Sequence, residues 1–157
     1  MAVGILAVAV IGALSAASSG ISSSIFSKDQ VIAFYLAQEG VEEIRNIRDE
    51  NALNGRTWLT GITSSSADPC YFGSKCYVDT IDVVPLVRCG VNCPVLKQDP
   101  VSGFYGYDLT WNDTIFTRTV ELTSINPHEI SILVTVDWSK GVINRQFRVR
   151  ENILDWQ

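Results

Sequence analysis

Four cysteines, Cys70, Cys76, Cys89 and Cys93, are the residues of this chain best equipped for chemistry, and they follow one another as C-x5-C-x12-C-x3-C. Four thiolates are a tetrahedral zinc set, but the usual knuckle spacing of C-x2-C to C-x4-C is met only by Cys89 and Cys93. An even number of thiols is equally a disulfide framework, with three connectivities open to four cysteines. Other candidates are sparser. His128 is the sole histidine and sits in an Asn-Pro turn, with no serine or cysteine nucleophile placed beside it by the sequence, so a solvated turn residue is the simpler reading. Asn112-Asp113-Thr114 has the form of a glycosylation sequon, a tripeptide that is frequent by chance. Trp58, Trp111, Trp138 and Trp156 could line a sugar-binding groove, although packing in a core is the commoner use of such rings. No glycine-rich phosphate loop and no His/Asp metal cluster is present, and the expectation is a protein that is not an enzyme and needs no cofactor.

Charge narrows the classes further. With 12 Lys and Arg against 17 Asp and Glu among 157 residues, the net charge is -5. There is no basic run that could neutralise a phosphate backbone, so no nucleic-acid partner is expected. The mean hydropathy of +0.17 is high for a soluble domain of this size, and one segment carries the excess.

That segment is Met1 to Ser27, which holds no charged residue and whose first seventeen positions are Ala, Val, Ile, Leu and Gly apart from Met1 and Ser15. Spanning a bilayer takes about 20 apolar residues, so this stretch stands at the short edge of a membrane span. Gly4, Ala9, Gly12, Ala13, Ala16 and Gly20 give it small residues of the kind that let helices approach closely where no hydrophobic force drives them together. A secretory signal peptide is the competing reading. Against it, no Lys or Arg precedes the apolar run, and no loop signal separates that run from the helix that follows.

From Lys28 to Glu50 there is no proline, and Val31, Phe34, Ala37, Val41, Ile44 and Ile47 recur in steps of three and four, an apolar stripe among charged positions. Asn54-Gly55 suits a left-handed helix end. One helix over the whole of this region would be roughly 75 Å long, more than a domain of this size can bury along its length. Beyond it, Pro69, Pro85, Pro94, Pro100 and Pro127 and several glycines break the chain into short pieces that suit strands. The runs "CYVDTIDVV", "VLKQD" and "GFYGYDLTW" are read as strands. Thr114–Ser124, Glu129–Ser139 and Val142–Asn152 read as an antiparallel meander. In its middle strand Ile130, Ile132, Val134, Val136 and Trp138 share one side, for which the stripe from Val31 to Ile47 is the available cover. The expected fold is α+β: a long N-terminal helix packed on a C-terminal antiparallel sheet. Its parts are an apolar segment 1–27, an amphipathic segment 28–54 of the same helix, and a β-rich head 55–157.

The run "AVGILAVAVIGALSAASSG" leading into "AFYLAQEGVEEIRNIRD", followed by a β-rich head with paired cysteines, resembles the type IV pilins and the similar pseudopilins of type II secretion, within that group the minor pilin or pilus-modification class. The resemblance covers the whole chain, and its specific part is the helix. It implies a subunit held in the cytoplasmic membrane by the front half of its helix, with the head outside, and later packed against other subunits in a surface filament. The partners so implied are other pilin subunits, an assembly platform and the membrane. An extracytoplasmic head lies in an oxidising setting, which favours disulfides over zinc, with the local pairs Cys70/Cys76 and Cys89/Cys93 expected first and the nested pairs Cys70/Cys93 and Cys76/Cys89 next. One departure stands out. The family's basic leader, its cleavage-site glycine and the glutamate at the fifth mature position have no counterpart here, and the expectation is that Met1 falls a few positions after that glutamate. A type II secretion pseudopilin and a membrane-tethered adhesin unrelated to pili are the alternatives.

Overall fold

The computed structural model describes residues 2–155, with side chains described from Val10 onward. One helix, α1 (Ala2–Leu53), is followed by seven strands: β1 (Lys75–Val78), β2 (Leu86–Arg88), β3 (Val95–Gln98), β4 (Tyr105–Gly106), β5 (Asn112–Asn126), β6 (Glu129–Lys140) and β7 (Ile143–Leu154). The chain divides into two compact units between Ile32 and Ala33.

The first unit is helix alone. Its side chains from Val10 are exposed almost throughout, among them the apolar Val10, Ile11, Leu14 and Ile21. Helical hydrogen bonds close within the segment, so an uncharged run of this kind holds its backbone together without a partner sheet. By length and composition α1 is apolar enough to cross a membrane.

The second unit is the rear of α1 with an antiparallel α+β sheet. The helix stops at Leu53 because Gly55 takes a left-handed conformation (φ 65°), letting the Arg56 amide donate to the Asn51 carbonyl at 2.9 Å and the Gly55 amide to the Ala52 carbonyl at 3.1 Å. That pair of bonds satisfies carbonyls the helix end would otherwise strand. No further helix follows among the described residues.

β5 organises the sheet. β6 pairs along one edge from Phe116↔Trp138 to Asn126↔Glu129, and the other edge is divided between β3 (Gln98↔Asn112, Val95↔Thr117) and β1 (Cys76↔Val120). β7 extends the sheet beyond β6. This register gives the sheet an Asn112 end and an Asn126 end. α1 runs parallel to β5, since Arg118 of β5 bonds the Leu36 carbonyl at the helix's beginning in this unit, and Arg48 near its close bonds the Leu154 carbonyl.

The inner face carries the core. Ile130, Ile132, Val134, Val136 and Trp138 of β6 are buried together with Phe116, Val120 and Leu122 of β5. Each such side chain contributes about 1.5–3 kcal/mol by leaving water. The alternation of β6 therefore places its five apolar residues where a period of two requires them.

The helix stripe differs from the expected one. Ala37, Val41 and Ile44 are buried and Ile47 is half-buried, but Val31 is 53% exposed and Phe34 40%. The covered line is Ala33, Leu36, Ala37, Gly40, Val41, Ile44 and Asn51. The reason is angular: at about 100° per residue, Val31 lies roughly 160° around the helix from Ile47, whereas Ala33 and Asn51 fall on one line. Phe34 instead meets the side of β7, its ring 5.7 Å from that of Phe147 in an edge contact.

The strands before β5 also differ. "CYVDTIDVV" is extended only to Val78 and then turns at Asp79, and "GFYGYDLTW" keeps only Tyr105 and Gly106. β2, immediately after Pro85, was not expected. Short strands pairing through two or three residues depend on tertiary neighbours more than on their own pattern.

Candidate functional site

Two surfaces of α1 divide the sequence's candidate packing residues between them. Ala13 and Ala16 are exposed in the first unit, and a Cβ built on Gly12 or Gly20 would meet no atom within 4 Å. Gly4 and Ala9 belong to α1, but their surroundings lie outside the described residues. This first surface is small, apolar and uncovered within the chain.

The second surface is the helix-on-sheet contact, and at Gly40 the helix backbone lies close against the sheet. A Cβ there would stand 3.1 Å from Val134 Cγ1 and 3.3 Å from Arg118 Cδ. Glycine is what allows the helix backbone this near the sheet.

Beside Gly40 lies a polar joint. Arg118 occupies an inner-face position of β5 between Phe116 and Val120 and is wholly buried. Its Nη1 donates to Glu39 Oε2 at 2.6 Å and to the Leu36 carbonyl at 3.0 Å, and its Nη2 donates to the Val78 carbonyl at 2.6 Å. The Thr80 hydroxyl donates to the other oxygen of Glu39 at 2.7 Å. One guanidinium thus ties α1, β5 and the segment after β1 together. Neither Arg118 Nε nor the Tyr107 hydroxyl completes a hydrogen bond. Burial pushes that phenol up to about 12, outweighing the opposing influence of the Arg118 guanidinium. Arg118 is sealed from solvent at the centre of this joint.

The cysteines form Cys70–Cys76 and Cys89–Cys93, and none is free. The first bond fastens the loop after α1 to β1, and the second closes the connection from β2 to β3. Arg88 braces the same region by donating to the Ser66 carbonyl at 2.8 Å and to the carbonyl of Asp68. Among the described residues no group of three His, Cys, Asp or Glu side chains is placed to hold a metal ion.

The remaining candidates have the following places among the described residues. His128 is exposed in the β5–β6 turn, with Nδ1 3.4 Å from Asp155 Oδ2. Trp138 is in the core beside Phe116, Trp111 lies against Gly106, and the Trp58 carbonyl accepts a bond from Asn51 Nδ2 at 3.3 Å. Trp156 lies outside the described residues. Asn112 is exposed at the start of β5, while the Thr114 hydroxyl donates to the Leu96 carbonyl at 2.6 Å. Sequence reasoning missed Arg118 and Gly40. The signal for Arg118 was present, because it interrupts the alternating Phe116, Val120 and Leu122 with a charge. Gly40 stands between Glu39 and Val41 in an otherwise ordinary amphipathic run and gave no such sign.

In comparisons with known proteins, no family model, no curated protein and no solved structure matches the chain.

Proposed function

We propose that this chain is a structural subunit of a type IV pilus or a related type II secretion pseudopilus, in a minor role. The front of α1 rests in the membrane before assembly and packs against the same helix of other subunits afterwards. The observation that supports this most is the contrast between the two surfaces of one helix. From Ala33 onward α1 is apolar along the line its own sheet covers, but over residues 10–27 it is uncharged, rich in small residues and exposed on all sides. A surface apolar all round needs a surrounding phase that is itself apolar. Lipid meets that need for any hydrophobic helix. The small residues Gly12, Ala13, Ala16 and Gly20 fit a second requirement, close approach between helices.

The head fits a filament subunit exposed outside the cell: it is closed by two disulfides, suited to an oxidising setting. The direct test is to shear surface filaments from cells expressing the chain from its own locus and to analyse them by mass spectrometry. The reading expects peptides of the head in the filament fraction. Peptides found only in the membrane fraction would favour a tethered head that does not assemble.

A further inference from the structure

Loops 79–85 and 107–111 flank a cavity of about 280 Å3 in the head. Its lining includes Asp79, Asp82, Asp108, Ile81, Tyr107 and Trp111, and among the described residues no Lys, Arg or His contributes to it. Both loops are closed by their own hydrogen bonds. The Asp79 amide donates to the Pro85 carbonyl at 2.8 Å in the first. In the second, Asp108 Oδ1 accepts from the Thr110 amide at 2.8 Å and from its hydroxyl at 2.7 Å, and the Trp111 amide donates to the Asp108 carbonyl at 3.2 Å. Walls held in this way are formed ahead of any ligand, as small-molecule sites usually are. Gly106 marks where they meet: a Cβ there would stand 3.0 Å from Trp111 Cζ3, 3.2 Å from Ile81 Cδ1 and 3.3 Å from Asp79 Oδ1. An indole, an aliphatic methyl and a carboxylate thus converge over one glycine.

Asp79 is only 9% exposed. Its Oδ1 accepts one bond, from the Ile81 amide at 3.3 Å, and among the described residues no ion pair reaches it. A buried carboxylate is costly unless a cation answers it. The cations on the adjoining strands are committed elsewhere, Arg118 to Glu39 and Lys97 Nζ to Asp113 at 2.7 Å. The Tyr107 hydroxyl, in the same lining, completes no hydrogen bond either. Asp82 and Asp108 are exposed and add two more negative charges. The field reaches the Tyr77 phenol, which is pushed up first by burial and then by the charges of Asp79 and Asp82. The three carboxylates are not gathered as a set that could hold a metal ion; they border a space, and a larger cation suits it. Carboxylates only accept hydrogen bonds, so the occupant must donate, and aromatic rings attract positive charge across their faces. We propose that this cavity binds an alkylammonium group, its nitrogen among Asp79, Asp82 and Asp108 and its aliphatic stem against Ile81 and Trp111. The site belongs to the head and does not depend on filament assembly.

The test uses the isotope-labelled full chain in non-ionic polyoxyethylene micelles at low salt and neutral pH, with n-butylamine, protonated there, as the probe. The indole N–H signal of Trp111, identified by its loss in Trp111→Phe, is expected to shift saturably with a Kd on the order of 1 mM, while those of Trp58 and Trp138 stay in place. Butan-1-ol, equal in length but uncharged, should give no saturable shift. Asp79→Asn keeps an oxygen for the Ile81 amide and removes the charge, and should weaken binding at least about tenfold. Asp82→Asn, at an exposed position, is the second variant and should weaken it about threefold. Nα-acetyl-lysine methylamide distinguishes the source: tighter binding than butylamine points to a lysine of another polypeptide and weaker binding to a free amine, and both support the ammonium site. Butylamine that does not saturate, or a response matched by butanol, would overturn the proposal. So would wild-type affinity in Asp79→Asn that unfolds at the wild-type temperature or, where that variant does not fold, in Asp82→Asn. A methyl glucoside that saturates the Trp111 signal where butylamine does not would overturn it in favour of a neutral sugar.

Discussion

The Arg118 guanidinium, wholly buried on β5, donates to Glu39 Oε2 of α1 across 2.6 Å, and among the described residues it is a helix–sheet ion pair with one partner fully buried. The partners are unequal. Arg118 is sealed from water, whereas the Glu39 side chain is about a third exposed. Removing Glu39 leaves a buried cation without its counter-charge. Removing Arg118 leaves a carboxylate that can turn to solvent. Glu39→Ala is therefore expected to cost about 2–3 kcal/mol, below the usual range for a broken buried pair because solvent already screens the carboxylate. Arg118→Leu is expected to cost less. Urea unfolding of the two variants measures both, and a larger loss for Arg118→Leu would contradict this account of the pair.

Gly40 and Val134 set how closely α1 lies on the sheet. Gly40→Leu is expected to destabilise the head by about 1–3 kcal/mol through overpacking. Val134→Ala alone is also destabilising, since it opens a cavity at a fully buried site. Combined, each change relieves the other, and the double variant should be more stable than the sum of the two losses by at least about 0.5 kcal/mol. Strict additivity in the same unfolding measurement would mean the two positions do not touch.

The long helix and the β5–β7 meander were legible because each repeats one period over many residues: no proline for fifty positions in the first, and the five alternating apolar residues of β6 in the second. The phase of the helix was not. Val31 and Phe34 are as apolar as anything on the stripe, and only the azimuth accumulated over several turns separates them from Ala33 and Leu36. Small residues carry little hydrophobic signal, yet Ala33, Ala37 and Gly40 are among the buried positions of the helix. β2 and β4 have two or three residues apiece and are held by register to their neighbours, information that does not reside in their own sequence. Of the candidate assembly surface, the composition was plain to read, while the bare approach to Gly12 and Gly20 is a property of the structure.

The two disulfides differ in access. Cys70 and Cys76 are fully buried, and Cys89 and Cys93 are half-buried. Exchange requires a thiolate to reach a sulfur, so mild reductant should open Cys89–Cys93 first. Timed alkylation followed by mass spectrometry is expected to show modification at 89 and 93 while 70 and 76 remain bonded. Each loop is short, and losing either bond should lower stability by about 2 kcal/mol by chain entropy. Simultaneous opening, or earlier loss of Cys70–Cys76, would contradict the order expected from burial.

The central claim is that the front of α1 is a packing surface in addition to an anchor, and Gly12→Leu separates the two roles. Leucine is more hydrophobic than glycine and a better helix former, so residence in the membrane should be unchanged or improved. The same side chain occupies space that a neighbouring helix would need, at a cost of about 1–3 kcal/mol for each contact repeated along a filament. The most direct measurement compares Gly12→Leu with the wild type, each expressed from the native locus, by immunoblot of membranes and of sheared filaments. The account predicts equal amounts in membranes and a severalfold loss from filaments. Equal amounts in both fractions would contradict it.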